Sequence, residues 1–373
     1  MKLIFDYQIF SAQKHGGISR YFCNLIKEIG PEALLPIHHH DNEYLKAEPK
    51  IVDLQIGEKS HFNFFKKAPD QNKEVTKKIL RESQFDIFHA TYYDDYFLDS
   101  LGGKPFAITI HDMIYEIFPE MFPLKDRLAI LKKELALKAD KIIVVSEQTK
   151  KDLLKFINIK EEKISVIYQA CSLDEKLISD TKVQKPTKDF LLFVGNRGIY
   201  KNFYFMLSAI SEVLKNNPNL ELICFGASFD KKESRFVENL GLEKKVRVTS
   251  GGDLEKKVRV TSGGDNDLIT LYKSALAFIS PSYYEGFGVT ILEAFACGCP
   301  VLAAKSSATP EAAGNAALYF DPKDPRAIKS AVEKIISDSE LRSELVAKGY
   351  EQNKKFSWQK AATEMKQAYQ TIS

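Results

Sequence analysis

The chain has 373 residues, 44% of them hydrophobic and 28% charged, with a formal net charge of +3 at pH 7. That length suits two domains, since single cores seldom grow so large, and the composition is that of an ordinary globular protein. The charge is too small to argue for nucleic acid, and no run approaches the roughly 20 apolar residues needed to cross a bilayer.

The first residues, Met1-Lys2-Leu3-Ile4-Phe5-Asp6, read as an opening strand over 3–5. They lack the long apolar region of a signal peptide, so a cytoplasmic protein is expected. His15-Gly16-Gly17-Ile18-Ser19-Arg20-Tyr21 then leads into an amphipathic helix over 21–29. A glycine turn before a helix is a potential anion seat, because the first backbone N–H groups are unpaired and the dipole favours negative charge. Pro36-Ile37-His38-His39-His40 reads as a strand end, and three consecutive histidines have the wrong spacing for a metal. From Lys59 to Arg81 the chain is basic and carries Phe62, Phe64 and Phe65. Two readings stand open: peripheral contact with an anionic membrane surface, or a solvated helix face with one core aromatic.

Strands are expected at 85–90 and 106–111, the second ending in His111-Asp112, and again at 142–145, where Ser146 is placed to cap a helix. Repeated strand–helix units argue for a doubly wound domain that binds ligands at the C-terminal strand ends. The polar stretch 169–188, with Pro186, suits a connection between domains. A second series begins at 190–194 and ends in a glycine turn with Arg197 and Lys201 four apart. Two cations at a helix start oppose the dipole, a conflict that a bound diphosphate would relieve. Arginine can grip phosphate oxygens bidentately, and lysine acts as a point charge.

After a strand at 220–225, residues 242–253 recur unchanged as 254–265, too few and too short a repeat for a solenoid. Asp265-Asn266-Asp267 has the D-x-D form that can hold a divalent cation, but it precedes a helix over 268–277, and capping is its expected role. Cys23, Cys171, Cys224, Cys297 and Cys299 read as free thiols. The stretch 278–300 is the most informative. A buried strand over 277–280 meets a glycine turn, and a buried helix follows over 289–296. Glu285 lies in the turn and Glu293 about one turn into the helix, where a carboxylate could take two adjacent ribose hydroxyls. A phosphate could then sit on the helix N-terminus, with Glu285 facing the group beyond it. The rest reads as a strand at 301–304, a short helix after Ser306, and helices over 326–336, 340–355 and 358–372.

Glu285 and Glu293, in the setting Ser-Tyr-Tyr-Glu-Gly-Phe-Gly and Leu-Glu-Ala, resemble the paired-glutamate motif of retaining glycosyltransferases, most closely glycosyltransferase family 4. The resemblance implies an α/β protein of GT-B fold, with two Rossmann-like doubly wound domains facing across a cleft. Residues 1–180 would form an acceptor-binding domain and 181–355 a nucleotide-sugar donor-binding domain. Residues 356–373 would form a helix crossing back to the first domain, anchored by Trp358. The implied reaction moves a hexose, with retention, from a nucleoside-diphosphate sugar to a hydroxyl of a glycan or lipid-linked glycan. Neither a metal nor any other cofactor is implied. Gly-Gly-Ile-Ser-Arg-Tyr resembles enzymes of bacterial surface-polysaccharide assembly and points to GDP-mannose as donor, at the cytoplasmic face of the inner membrane. Carried over by position, the catalytic set is Glu285, His111, Arg197 and Lys201. The donor contacts are Gly16, Gly17, Arg197, Lys201, Gly286, Phe287, Gly288, Val289 and Glu293. Glu285 would hold sugar hydroxyls, Glu293 the ribose, and His111 the far side of the sugar. Two alternatives remain open: a phosphorylase on the same fold, and a non-catalytic nucleotide-sugar-binding subunit of a surface-glycan complex.

Overall fold

A computed structural model describes residues 1–51, 68–122, 127–183, 186–249 and 264–373. The chain forms two compact units, Met1–Gln169 with Ser357–Ser373, and Ala170–Phe356. Among the described residues each unit carries a six-stranded parallel sheet.

The first sheet has the order β2-β1-β3-β4-β5-β6, built from β1 (Leu3–Phe5), β2 (Ala33–Leu34), β3 (Ile87–Ala90), β4 (Phe106–Ile110), β5 (Lys141–Val144) and β6 (Ile164–Val166). The second has the order β12-β11-β10-β7-β8-β9. Its strands are β7 (Asp189–Val194), β8 (Leu220–Phe225), β9 (Val246–Thr249), β10 (Ala277–Ser280), β11 (Val301–Ala304) and β12 (Ala317–Phe320). The central strands read as unbroken apolar runs because helices cover both faces of such a sheet. All of β4, β5, β10 and β11 is buried. In the second unit the helices Phe203–Asn216 and Pro325–Ser337 lay Met206, Leu207 and Ile210 with Ile328, Val332 and Ile335 into one core around Leu191 and Leu222. The helix Val289–Ala296 packs on Ser339–Asn353 at a point that only a glycine allows. A Cβ on Gly349 would lie 2.6 Å from the Phe295 ring.

The last helix, Trp358–Gln370, belongs to the first unit and packs on the helix Gly17–Ile29. Trp358 meets Tyr21 edge-on with ring centroids 5.7 Å apart, and the Tyr369 hydroxyl bonds to His89 Nδ1. Ser146 caps its helix by accepting from the Thr149 N–H at 2.9 Å, the role its sequence position suggests.

Residues 36–40 depart from the expected strand. Pairing with β1 stops at Leu34, and the N–H groups of His38 and His39 donate instead to Asn72 Oδ1 at 2.8 and 3.0 Å. A side-chain acceptor satisfies this backbone where a strand ladder would have done so. The basic aromatic stretch at 59–67 and most of the duplicated unit, 250–263, lie outside the described residues. Farther along the basic stretch, Lys77 pairs with Asp99 at 3.0 Å and Lys73 lies 5.6 Å from the centre of the Tyr96 ring. Among the described residues no helix is long and apolar enough to cross a membrane. The five cysteines, all among the described residues, are thiols outside any disulfide, and four of them are buried.

Strand order fixes where a ligand can sit. In the second sheet the chain runs outward from β7 through β8 to β9, then returns to place β10 on the other flank of β7. Connections therefore leave β7 and β10 in opposite directions, which opens a crevice at their C-terminal ends. The turns after Val194 and Ser280 flank that crevice.

Candidate active site

The turn after β7 is built by glycine geometry. Gly195 has φ +118° and Gly226, which follows β8, has φ +152°. A Cβ on Gly226 would lie 2.9 Å from the Gly195 carbonyl oxygen. These two positions let neighbouring turns nest, with Gly195 N–H donating to Phe225 O at 3.0 Å. The chain then makes one short turn at Ile199–Lys201 and passes through Asn202 at φ 57°. Asn202 Nδ2 donates to Pro281 O at 3.1 Å and Pro322 O at 2.9 Å, and Tyr283 N–H donates to Tyr200 O at 2.7 Å. The Asn202 side chain and one main-chain bond thus lace the turn after β7 to the turn after β10.

The lacing brings Lys201 onto Glu285. Lys201 Nζ lies 2.7 and 2.9 Å from the two carboxylate oxygens, and the two side chains are 17% and 14% exposed. The Ser282 hydroxyl donates to Glu285 Oε1 at 2.6 Å. Ser307 takes the Glu285 N–H at 3.3 Å and donates to the Glu285 carbonyl at 2.6 Å.

Past Glu285 the turn contains Gly286, Phe287 and Gly288. Gly288 has φ +106° and precedes the helix Val289–Ala296, which no described side chain caps at its N-cap residue. Phe287 is buried against Phe356, with ring centroids 5.4 Å apart. Glu293 lies on the buried face of that helix, its Oε2 3.4 Å from the Tyr272 hydroxyl, which also lies 3.2 Å from Thr290 O. Burial, and then the charge of Glu293, push the Tyr272 hydroxyl well above its ordinary pKa.

Arg197 does not join Lys201. Its Nε donates to Glu233 Oε1 at 2.7 Å, and its Nη2 to Glu233 Oε2 at 3.1 Å and to the carbonyls of Ala227 and Ser228 at 2.7 and 3.2 Å. The guanidinium stands over the Phe229 ring, 5.0 Å from its centre. Only Nη1 lacks a hydrogen-bond partner among the described residues. Glu233 also closes a capping box with Asp230 at the start of the helix Lys231–Asn239. Arg197 therefore ties the turn after β7 to the turn after β8 and to that helix, with its charge balanced internally.

In the first unit His111 follows β4 and is 8% exposed, edge-on to the rings of Tyr21 and Phe22 at 4.9 and 5.9 Å. Burial, with Lys132 as the second cause, draws its pKa down to about 3, so the imidazole is neutral at physiological pH. Its Nε2 has no partner among the described residues. Lys132, which no sequence pattern singles out, is buried and donates to Asp112 O at 3.0 Å and Glu116 Oε2 at 2.8 Å. Gly16 precedes the helix Gly17–Ile29, and one helix-start amide there, that of Ser19, already donates to Gln13 Oε1 at 3.0 Å. A Cβ on Gly16 would lie 2.1 Å from that oxygen, whereas one on Gly17 would meet none of the described atoms within 4 Å. Asp6, at the end of β1, is buried among donors from Thr91, Gln8 and Tyr96, and burial raises its pKa to about 6.

The D-x-D stretch differs from its expected capping role. The helix starts at Asp265 with Gly264 as N-cap and no side-chain cap bond. Asp265 and Asp267 sit in the first helical turn instead, where negative charge suits the dipole. Among the described residues no three His, Cys, Asp or Glu side chains converge as metal ligands.

Comparison with known proteins adds a family context. The model described as Glycosyltransferase Family 4 matches residues 15–175, and that described as Glycosyl transferases group 1 matches 174–352. The chain is 30% identical over 274 residues to the O-antigen chain mannosyltransferase B of Escherichia coli, covering 71% of this chain and 70% of that protein. It is 28% identical over 229 residues to the O-antigen chain mannosyltransferase RfbU of Salmonella typhimurium, covering 61% of this chain and 60% of that one. Among solved structures, Anabaena HepE in complex with UDP and glucose superposes with a TM-score of 0.74 at 16% identity, covering the whole of both chains. WaaG, a glycosyltransferase involved in lipopolysaccharide biosynthesis, gives 0.69 at 18% identity, over 100% of this chain and 99% of that one.

Proposed function

The chain belongs to glycosyltransferase family 4 and has the GT-B fold, and we propose that it transfers mannose from GDP-mannose, with retention, to a hydroxyl of a glycan or lipid-linked glycan acceptor. The observation that carries this reading is the Lys201–Glu285 pair at the strand-order crevice of the second sheet, beside the glycine turn that opens the Glu293 helix. The similarity to an O-antigen chain mannosyltransferase supports the choice of sugar.

In this reaction the bond between C1 and the phosphate oxygen breaks while the acceptor oxygen bonds C1 on the same face. The acceptor's proton passes to the departing phosphate oxygen. Negative charge grows on the diphosphate, and Lys201 with the amides of the turn at 286–289 stabilises it. Preorganised donors of this kind typically contribute about 3–4 kcal/mol each when shielded from water. Glu285 holds hydroxyls of the sugar and Glu293 the ribose diol. His111, neutral in its buried setting, is a hydrogen-bonding contact to substrate and not a proton carrier at physiological pH. Arg197 acts on the same turn through Glu233. No metal takes part in this proposal, so a chelator should leave turnover unchanged. The protein would work as a peripheral partner of the cytoplasmic membrane face, where lipid-linked acceptors are held.

The experiment is release of GDP from GDP-mannose in the presence of acceptor, with the product's anomeric configuration read by NMR. A product retaining the donor's configuration supports the reading. An inverted product, or no release of GDP, contradicts it.

A further inference from the structure

The proposed reaction asks Lys201 to serve two anions. In the structure its ammonium is drawn to both oxygens of Glu285. A donor diphosphate would compete for the same ammonium, and as Lys201 turned to it, Glu285 would lose its counter-charge beside a second anion. Whatever holds Glu285 on the sugar at that point must be independent of Lys201.

We propose that Ser282 is a positioning residue for Glu285, fixing the carboxylate through its hydroxyl while Lys201 engages the donor diphosphate. This rests on the reading that Glu285 meets the sugar and Lys201 the phosphates. Ser282 is 2% exposed, and its own carbonyl accepts from the Ser306 hydroxyl at 2.7 Å, so the residue is anchored before it acts. Its hydroxyl donates to Glu285 Oε1 at 2.6 Å, the short distance expected of a charge-assisted bond. The backbone of Glu285 is fixed separately. Ser307 stands at φ 50°, uncommon for a residue other than glycine, and from there its hydroxyl takes the Glu285 N–H and donates to the Glu285 carbonyl. Glu285 is thus pinned at both its backbone and its side chain by serines that carry no charge to surrender. An arriving diphosphate can draw Lys201 away, whereas it has no claim on the proton of Ser282.

The test uses the full chain with GDP-mannose as donor and GDP as a sugar-free probe. Ser282→Ala should lower kcat about tenfold, the lower end of what removing an outer orienting partner does, and leave GDP affinity within about twofold. Ser282→Thr, which restores a hydroxyl, should recover most of the lost kcat. A structural collapse of the turn would instead lower GDP affinity in step with kcat and spare neither variant, and that result overturns the proposal. So does a Ser282→Ala enzyme with wild-type kcat beside an impaired Glu285→Gln. If Glu285→Gln itself turns over like the wild type, the reading of Glu285 fails and the proposal falls with it.

Discussion

Arg197 offers the sharpest separation between a ligand-binding role and an architectural one. Replacing it with alanine leaves the Glu233 carboxylate, 8% exposed, without its cation and leaves the Ala227 and Ser228 carbonyls without their shared donor. Breaking a buried ion pair from one side typically costs about 3–5 kcal/mol. For a domain of this size each kcal/mol moves the melting temperature by about 2–4 °C, so Arg197→Ala should melt on the order of 10 °C lower. Lys201→Ala removes the cation from a mostly buried pair but leaves the Glu285 carboxylate its bond from Ser282, so its melting point should fall less than that of Arg197→Ala. Removing Glu233 together with Arg197 should recover part of the loss, because no buried charge is then stranded. The assay is differential scanning calorimetry, with GDP affinity of the folded variants measured by titration calorimetry. Should Arg197→Ala melt like the wild type while its GDP affinity falls tenfold or more, the architectural argument is refuted and Arg197 binds the diphosphate directly.

Acid should destabilise the protein through its buried histidines. His89 and His111 are both drawn down to about 3 by burial, so between that value and about 6.5 the unfolded chain binds two protons that the folded chain does not. Stability from these groups therefore rises with pH across that window and is lost as pH falls through it. Asp6, raised to about 6, works in the opposite sense between about 4 and 6. The two histidines outweigh Asp6 there, so these groups still make stability rise with pH in urea melts, and Asp6→Asn should steepen that rise. A slope unchanged by that substitution would show that Asp6 does not titrate as its burial requires. Gly288→Ala places a side chain at φ +106° and 3.3 Å from Ile291 Cδ1, so both the melting point and turnover should fall. An unaltered variant would mean the turn relaxes at no cost.

The parts of the fold legible in the sequence were those where burial imposes a pattern. The strand at 277–280 and the helix at 289–296 are mainly apolar because the strand is buried along its length and the helix is buried over 291–295. Ser146 was readable as a cap because capping is local, decided within three residues. Arg197 was harder. A helix start was expected at Arg197 and Lys201, yet residues 195–202 form a glycine turn and a single short turn, with the helix beginning only at Phe203. The partner of Arg197, Glu233, lies 36 residues on, where no local pattern joins them. Ser307 reaches Glu285 because β10 and β11 are neighbours, which no local pattern shows, while Ser282, three residues before Glu285, looks ordinary in its own turn. The expected strand end at 36–40 failed for a related reason, since Asn72, far along the chain, takes its N–H groups.

The account's central claim is that Lys201 holds the nucleotide's diphosphate while Glu285 holds the sugar. Titration calorimetry of GDP and of GDP-mannose against the Lys201→Ala and Glu285→Gln proteins tests it most directly. Loss of affinity for both ligands in the first variant, and for GDP-mannose alone in the second, is the predicted result. GDP binding undiminished by Lys201→Ala would contradict it.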